Sequence, residues 1–287
     1  MSQARSKFTT TVLGEWIRAP RPQPEPPPEP EPAFRREPQA DGKGSTQPGL
    51  VVWTPEPAPP QTTALVRGWT SKVFIVDEID LPVRPDRRLV LLREPESASA
   101  RGYRALRHRL LAHSDPRVIA VTSAEPGEGK TTCAVNLALS LAEETMARVL
   151  LVEANLSRPA LGRVFGYEPS ESFVGRMAEY RDASPPYSVA AILGTRLQIA
   201  ALPQNVSLDA RLDRMLLAVA LQELRDVFDY IVVDSASVLE SADADVASVC
   251  ADGVVVTARA AKSKKTALRR AVEQLAPARV LGTVLLD

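Results

Sequence analysis

Ten residues, SAEPGEGKTT at positions 123–132, constrain this chain of 287 residues more than any other stretch. They lie between the apolar run RVIAVTS and the helical stretch TTCAVNLALSLAEE, so the turn joins a predicted strand to a predicted helix. Gly129, Lys130 and Thr131 match the end of the pattern G-x-x-x-x-G-K-[ST], and Ala124 replaces its first glycine. This context predicts a phosphate-binding loop at the carboxyl end of a strand.

The residue types in the loop suit phosphate chemistry. Gly127 and Gly129 allow the backbone to turn its N–H groups toward phosphate oxygens, and the next helix presents its positive N-terminal end to them. Lys130 is predicted to reach the β- and γ-phosphates of ATP, and the Thr131 hydroxyl to ligate Mg²⁺. The predicted ATP-binding residues are Glu125, Pro126, Gly127, Glu128, Gly129, Lys130, Thr131 and Thr132.

A second motif, FDYIVVDS at 228–235, ends an apolar run on Asp234. A carboxylate at the carboxyl end of a strand can hold Mg²⁺ directly or through water, so Asp234 is the second predicted metal residue. The run RVLLVEA at 148–154 places another carboxylate, Glu153, at the end of a third strand. Asn155 follows it, and an amide can neither take a proton nor neutralise a metal ion.

Apolar runs alternate with helical patterns from residue 88 onward. The runs are continuously apolar, which indicates strands buried on both faces, and the fold class is therefore α/β, with a mainly parallel sheet flanked by helices. Strands are predicted at 117–123, 148–154, 197–203, 229–235, 252–258 and 279–286, and helices at 131–144, 212–228 and 263–276. The stretch SARGYRALRHRLLA has Tyr103, Leu106 and Leu110 at helical spacing, which predicts a further helix.

More than half of the 25 prolines fall between residues 20 and 60, where they prevent helices and sheet ladders. The predicted organisation has four parts: a short N-terminal segment (1–19), a disordered Pro-rich linker (20–62), a transitional segment (63–87) and a nucleotide-binding domain (88–287). Within the transitional segment, KVFIVDEID is predicted to form a short strand.

Composition excludes several classes of function. Lys plus Arg and Asp plus Glu both number 35, so no basic excess indicates a nucleic-acid partner. Two cysteines without C-x-x-C spacing argue against structural zinc and fit a reducing compartment. We find no long apolar run of the kind that a signal peptide or membrane span needs. The expectation is a cytoplasmic protein that meets the inner membrane through a partner.

These motifs, with RVLLVEANLSRPALGRVFG and the ending VLGTVLL, follow one another in an order that resembles the cytoplasmic bacterial tyrosine kinases of capsule and exopolysaccharide export. Those kinases are related to the MinD/ParA-type P-loop ATPases. The resemblance covers roughly residues 88–287 and implies transfer of the ATP γ-phosphoryl group to tyrosine, with Lys130, Glu153 and Asp234 as catalytic residues. It also implies Mg²⁺ at Thr131, Asp234 and Glu153.

The same resemblance implies partners. A transmembrane polysaccharide co-polymerase, or chain-length regulator, activates these kinases, and they form rings through a helix reading E-x-x-R-x-x-R. Here Arg101, Arg104 and Arg107 keep that spacing and are the predicted oligomer contacts, although Arg101 stands where the family has Glu.

Other departures concern the chemistry itself. The family carries D-x-D-x-R where this chain has Glu153, Asn155 and Ser157, with Arg158 one position further, and Ser-Ala-Ser follows Asp234 in place of Thr-Pro-Pro. Family members carry a cluster of tyrosines after the last strand, whereas the five tyrosines here lie at positions 103, 167, 180, 187 and 230. Tyr180 and Tyr187 are either substitute acceptors or ordinary surface tyrosines.

Three functions therefore stay open. The first is a tyrosine kinase of the exopolysaccharide system, and the second is an ATP-binding pseudokinase that switches assembly with the same membrane partner. The third is a MinD/ParA-type positioning ATPase, whose basic residues at 262–265, 269 and 270 would meet DNA instead of forming a solvated helix face.

Overall fold

The computed structural model describes residues 74–113, 115–144, 147–169, 187–204 and 211–286. The predicted N-terminal segment and Pro-rich linker lie outside the described residues, as does Tyr180. The described ranges make up the α/β part of the chain.

One mixed sheet forms the centre of the described fold. Its strands are β1 (Phe74–Ile79), β2 (Val118–Ser123), β3 (Val149–Ala154), β4 (Tyr187–Ile192), β5 (Leu197–Ala200), β6 (Tyr230–Ser235), β7 (Gly253–Arg259) and β8 (Val280–Leu286). They lie in the order β1-β4-β5-β3-β6-β2-β7-β8. Of these neighbouring pairs, β4–β5 is antiparallel and the others are parallel, which confirms the predicted mainly parallel α/β sheet.

Helices cover both faces of this sheet. They are α1 (Val90–Arg93), α2 (Ala98–His113), α3 (Lys130–Glu144), α4 (Leu161–Phe165), α5 (Arg214–Leu224), α6 (Asp243–Cys250) and α7 (Lys265–Gln274). Alternate residues of a strand join different apolar clusters: Ile119 and Val121 pack on the side of α2 and α3, and Val118 packs on the side of α5. Burial on both faces explains why the strands are continuously apolar in the sequence.

The predicted helix α2 packs as its spacing indicates, with Tyr103, Leu106 and Leu110 buried. Its arginines make contacts inside the chain. Arg104 forms a bidentate ion pair with Glu143 of α3 at 2.8 Å, and Arg107 donates to the carbonyl oxygen of Ser140. Arg101 donates to the Glu96 carbonyl oxygen. The oligomer role of Arg101, Arg104 and Arg107 stays a prediction, and in this conformation their guanidinium groups are engaged with their own chain.

The short strand predicted within KVFIVDEID is confirmed as β1, which lies upstream of residue 88 and joins the sheet. Two features depart from the sequence-based expectations. Strand β4 begins at Tyr187, whose half-buried hydroxyl donates to Glu223 at 2.8 Å, so this tyrosine is part of the sheet. The basic run 262–265 contributes only Lys265 to helix α7, and the residues before it form the connection from β7.

Candidate nucleotide-binding site

The glycine-rich loop lies between the end of β2 and the start of α3, as predicted. Gly127 and Gly129 adopt positive φ angles of 77° and 86°, which residues with side chains rarely tolerate. Helix α3 begins at Lys130 and follows the loop directly, so its first N–H groups face the same space. The backbone therefore has the form that cradles an anion.

Gly129 is also enclosed, because a Cβ atom there would collide with the Leu286 side chain of β8. We expect Gly129→Ala to lower the free energy of unfolding by about 1–3 kcal/mol and to abolish ATP binding. Gly194→Ala is the matched control, since Gly194 has a φ of 75° with no atom within 4 Å of its Cβ position. Calorimetry should show ATP binding lost in the first variant and kept in the second; equal binding in both would contradict the cradle.

Lys130 points into the protein and is almost fully buried. Its ammonium group donates to the Ser237 hydroxyl oxygen at 2.9 Å, in the segment that follows β6. Burial lowers the pKa of Lys130, and the nearby carboxylate of Asp234 opposes that effect. The positive charge is thus held at the inner end of the loop, where a β- or γ-phosphate would meet it.

Asp234 is fully buried near the carboxyl end of β6, between β3 and β2 in the sheet. Neither of its carboxylate oxygens accepts a hydrogen bond of normal geometry from the described residues. Burial raises the pKa of Asp234 from an ordinary 3.8 to about 7; the Thr131 hydroxyl favours the ionised form, and Glu153 opposes it. A buried carboxylate without a partner is costly unless something else binds it.

These features fit Mg²⁺. Within the described ranges, no group of three or more His, Cys, Asp and Glu side chains forms a metal site by itself. Mg²⁺ commonly binds through one or two carboxylates, water and the phosphates of a nucleotide, and the unpartnered carboxylate of Asp234 with the adjacent Thr131 offers such a donor set.

Glu153 lies beside Asp234 in the β3–β6 register, but its carboxylate has partners. Oε1 accepts from the backbone N–H of Ala160 and, at 2.9 Å, from that of Leu161 at the start of α4. Oε2 accepts from the backbone N–H of Leu202 after β5, also at 2.9 Å. Burial raises the pKa of Glu153, and these N–H groups oppose the rise. Glu153 therefore ties together two segments beside the site; its catalytic and metal roles stay predictions.

The remaining residues of the altered motif follow the end of β3. The Asn155 side-chain oxygen accepts from the Ser157 hydroxyl at 3.2 Å. Arg158 forms an ion pair with Glu240 at 2.7 Å, and both charges are near enough to act on Lys130. Arg158 therefore contacts the segment that follows β6.

The connection between β7 and α7 contacts the phosphate loop at Glu128 and Gly127. Glu128 is buried; it accepts from the Glu125 backbone N–H at 2.9 Å and from the Ser263 hydroxyl. A Cβ at Gly127 would lie 3.0 Å from the Lys262 ammonium nitrogen. Part of the basic run therefore borders the phosphate loop.

The structure brings Lys130, Thr131 and Asp234 together as their motifs predict, whereas the motifs assign no role to Ser237, Ser263 or Glu240. The signal for Ser237 was the stretch Ser-Ala-Ser after Asp234, since it places serine hydroxyl groups directly after a predicted metal residue. For Ser263 and Glu240 the sequence contains no comparable signal, because their partners are remote in the chain.

The loop and strand order define an α/β protein of the P-loop nucleotide-binding class. The chain is 30% identical over 232 residues to the succinoglycan biosynthesis transport protein ExoP of Rhizobium meliloti, covering 77% of this chain and 29% of that relative. It is 28% identical over 210 residues to the tyrosine-protein kinase YwqD of Bacillus subtilis, covering 70% and 86% of the two chains. The crystal structure of the VpsO kinase domain matches with a TM-score of 0.56 and 28% identity, over 66% of this chain and 94% of that one.

The chain is a homologue of the bacterial tyrosine-protein kinases, and the resemblance inferred from its motifs is confirmed. It spans less than a third of the length of ExoP and most of the length of YwqD. No protein-family model matches the chain. No helix within the described ranges is long and apolar enough to cross a membrane.

Proposed function

We propose that this chain binds Mg-ATP and transfers the γ-phosphoryl group to tyrosine in proteins, regulating polymerisation and export of an exopolysaccharide or capsule. One observation carries the proposal: the Lys130 ammonium group, the Thr131 hydroxyl and the buried Asp234 carboxylate lie together at a glycine-rich loop. Homology to tyrosine-protein kinases supports tyrosine as the acceptor.

Each part of the site has a separate role in the proposed reaction. The loop N–H groups and Lys130 hold the phosphates, and Asp234 with Thr131 orients the metal side of the nucleotide. Bound Mg²⁺ supplies neutralisation of phosphate charge. Catalysis then rests on positioning and charge more than on covalent chemistry by the protein, which suits a buried site.

A second function, an ATP-binding switch without phosphoryl transfer, has one specific observation in its favour. The Glu153 carboxylate already accepts three backbone hydrogen bonds, and Asn155 cannot accept a proton. A tyrosine hydroxyl needs a base when it attacks phosphorus. If neither residue serves, ATP occupancy would act on assembly only.

We further propose a transmembrane polysaccharide co-polymerase as activating partner, at the cytoplasmic side of the inner membrane. The name of ExoP, a biosynthesis transport protein, supports a role beside an export system. Ring formation would require at least some of Arg101, Arg104 and Arg107 to exchange their present contacts for a neighbouring subunit.

Lys130→Met tests the kinase directly. We expect at least about a 100-fold loss of phosphotyrosine formation, because the variant removes the cation at the phosphates. The assay uses the full chain, radiolabelled Mg-ATP and a glutamate–tyrosine copolymer, with and without the cytoplasmic segment of the co-polymerase. Lys264→Met, an exposed lysine in the basic run, is the control and should retain activity.

The outcomes separate the candidates. Phosphotyrosine that disappears in Lys130→Met and persists in Lys264→Met supports the kinase. ATP binding by calorimetry without any transfer supports the switch and sinks the kinase. A wild-type chain that binds no ATP contradicts both functions.

A further inference from the structure

A buried hydroxyl group occupies the inner end of the site. Ser237 is fully buried and accepts from the Lys130 ammonium group at 2.9 Å. The ammonium group of Lys130 is therefore held by a side chain from the segment that follows β6.

Backbone and side-chain bonds fix the place of Ser237. The Thr122 hydroxyl donates to the carbonyl oxygen of Ala236 at 2.7 Å, just before it. The backbone N–H of Val238 donates to the carbonyl oxygen of Ser123 at 2.9 Å, just after it. Held on both sides, the backbone of Ser237 stays beside Lys130 as long as the connection between the ends of β2 and β6 is intact.

The hydrogen-bond capacity of this hydroxyl leaves room for a ligand. Ser237 accepts from the Lys130 ammonium group at 2.9 Å, while the Ser123 hydroxyl, 3.5 Å from Ser237, gives its one hydrogen to the carbonyl oxygen of Glu125 at 2.7 Å. A serine hydroxyl has two acceptor lone pairs and one hydrogen to donate. The bond from Lys130 uses one lone pair, so the hydrogen of Ser237 can turn to an acceptor placed beside Lys130, and a terminal phosphate oxygen is an acceptor of that kind.

We propose that Ser237 is a positioning residue that distinguishes ATP from ADP, by holding Lys130 in place and donating its hydrogen to the γ-phosphate. The inference rests on the proposed nucleotide binding. A γ-phosphate that Lys130 and Ser237 share receives two hydrogen bonds, whereas ADP, whose β-phosphate meets Lys130, lacks the group to which Ser237 would donate. The selectivity lies in binding and does not depend on whether transfer follows.

Ser237→Ala tests the proposal. Calorimetry with a non-hydrolysable ATP analogue and with ADP, both with Mg²⁺, should show about tenfold weaker binding of the analogue. Binding of ADP should change less than about twofold, because ADP has no γ-phosphate. A structural collapse would instead weaken the binding of both ligands. Ser237→Thr keeps the hydroxyl and should restore most of the preference for the analogue.

Ser235→Ala is the matched control. Ser235 is also fully buried and two residues away, but its hydroxyl donates to the carbonyl oxygens of Val121 and Ala236. It should lower the melting temperature and leave the ratio of the two affinities unchanged. If Ser237→Ala weakens the binding of both ligands equally, or weakens neither, the inference about Ser237 is overturned. The proposed function still stands in that case as long as the wild-type chain binds the ATP analogue. A wild-type chain that binds neither ligand overturns both.

Discussion

Asp234→Asn should make the nucleotide-free protein more stable at about pH 8 while removing the Mg²⁺-dependent part of ATP binding. The carboxylate is fully buried, accepts no hydrogen bond of normal geometry from the described residues, and has a pKa raised by burial to about 7. The neutral amide removes the buried charge. The same change removes the metal donor, so stability and function move in opposite directions.

The expected gain follows from the pKa difference. Ionising a carboxyl group with a pKa of about 7 in place of 3.8 costs about 4 kcal/mol. Burying an amide without hydrogen-bond partners costs about 1–3 kcal/mol, so the net gain in the free energy of unfolding is about 1–3 kcal/mol. This corresponds to a rise in melting temperature of roughly 2–10 °C.

The pH dependence has a definite sign. Because the folded-state pKa is raised, the folded protein keeps a proton that the unfolded chain has lost between pH values of 3.8 and about 7. The contribution of Asp234 to stability is therefore complete below this window and is lost as the pH rises through about 7. Asp234→Asn should flatten this decline in melts recorded across the window.

Asp252→Asn is the control, because that carboxylate accepts from the backbone N–H of Val118 at 2.8 Å and from Arg225 at 2.6 Å. It should lower the melting temperature. If Asp234→Asn instead destabilises the protein at every pH, its carboxylate has partners and the metal argument fails. Calorimetry with Mg²⁺ and with EDTA checks the functional half.

Glu153→Gln should do the reverse and lower the free energy of unfolding by about 2–4 kcal/mol. Both oxygens of this neighbouring carboxylate accept backbone N–H groups, from Ala160 and Leu161 on one side and Leu202 on the other. A glutamine amide can satisfy one side only, and its NH₂ group then faces an N–H on the other. Two adjacent buried carboxylates thus respond oppositely to the same isosteric change.

Glu153→Asp sharpens the test, because one methylene less cannot reach α4 and Leu202 together. It should also lower the melting temperature, although it restores the residue type of the related kinases. The rate of phosphotyrosine formation should be measured in parallel with the melting temperature. A stable Glu153→Asp variant with a higher rate would assign Glu153 to the chemistry instead of to the tie between segments.

Strands with both faces buried were the predictable part of the fold. VIAVTS, VLLVEA, YIVVDS and GVVVTAR are nearly unbroken apolar runs, so composition identifies them without knowledge of their neighbours. Strand β4, YSVAAI, is short, contains polar residues and pairs antiparallel with β5, so its pattern is weak. Helix α6 is built from Asp, Ala, Ser, Val and Cys, which carry little helical periodicity.

The candidate site also has features that the sequence predicts and features that it does not. Lys130 and Thr131 were predictable because the loop motif is local in sequence and its glycine geometry follows from the turn. The state of Glu153 was not, because it depends on where Leu202 and Ala160 come to lie. The contact between Lys130 and Ser237 spans 107 residues and exists only once the strand register is set.

The side chain of Leu286, near the end of β8, lies against Gly129 of the phosphate loop. A peptide fused behind this strand would therefore emerge beside bound nucleotide, close to the start of α3. Affinity tags for the binding experiments belong at the N-terminus for that reason. A fluorophore attached behind β8 would instead serve as a reporter, since its emission should change when the loop fills.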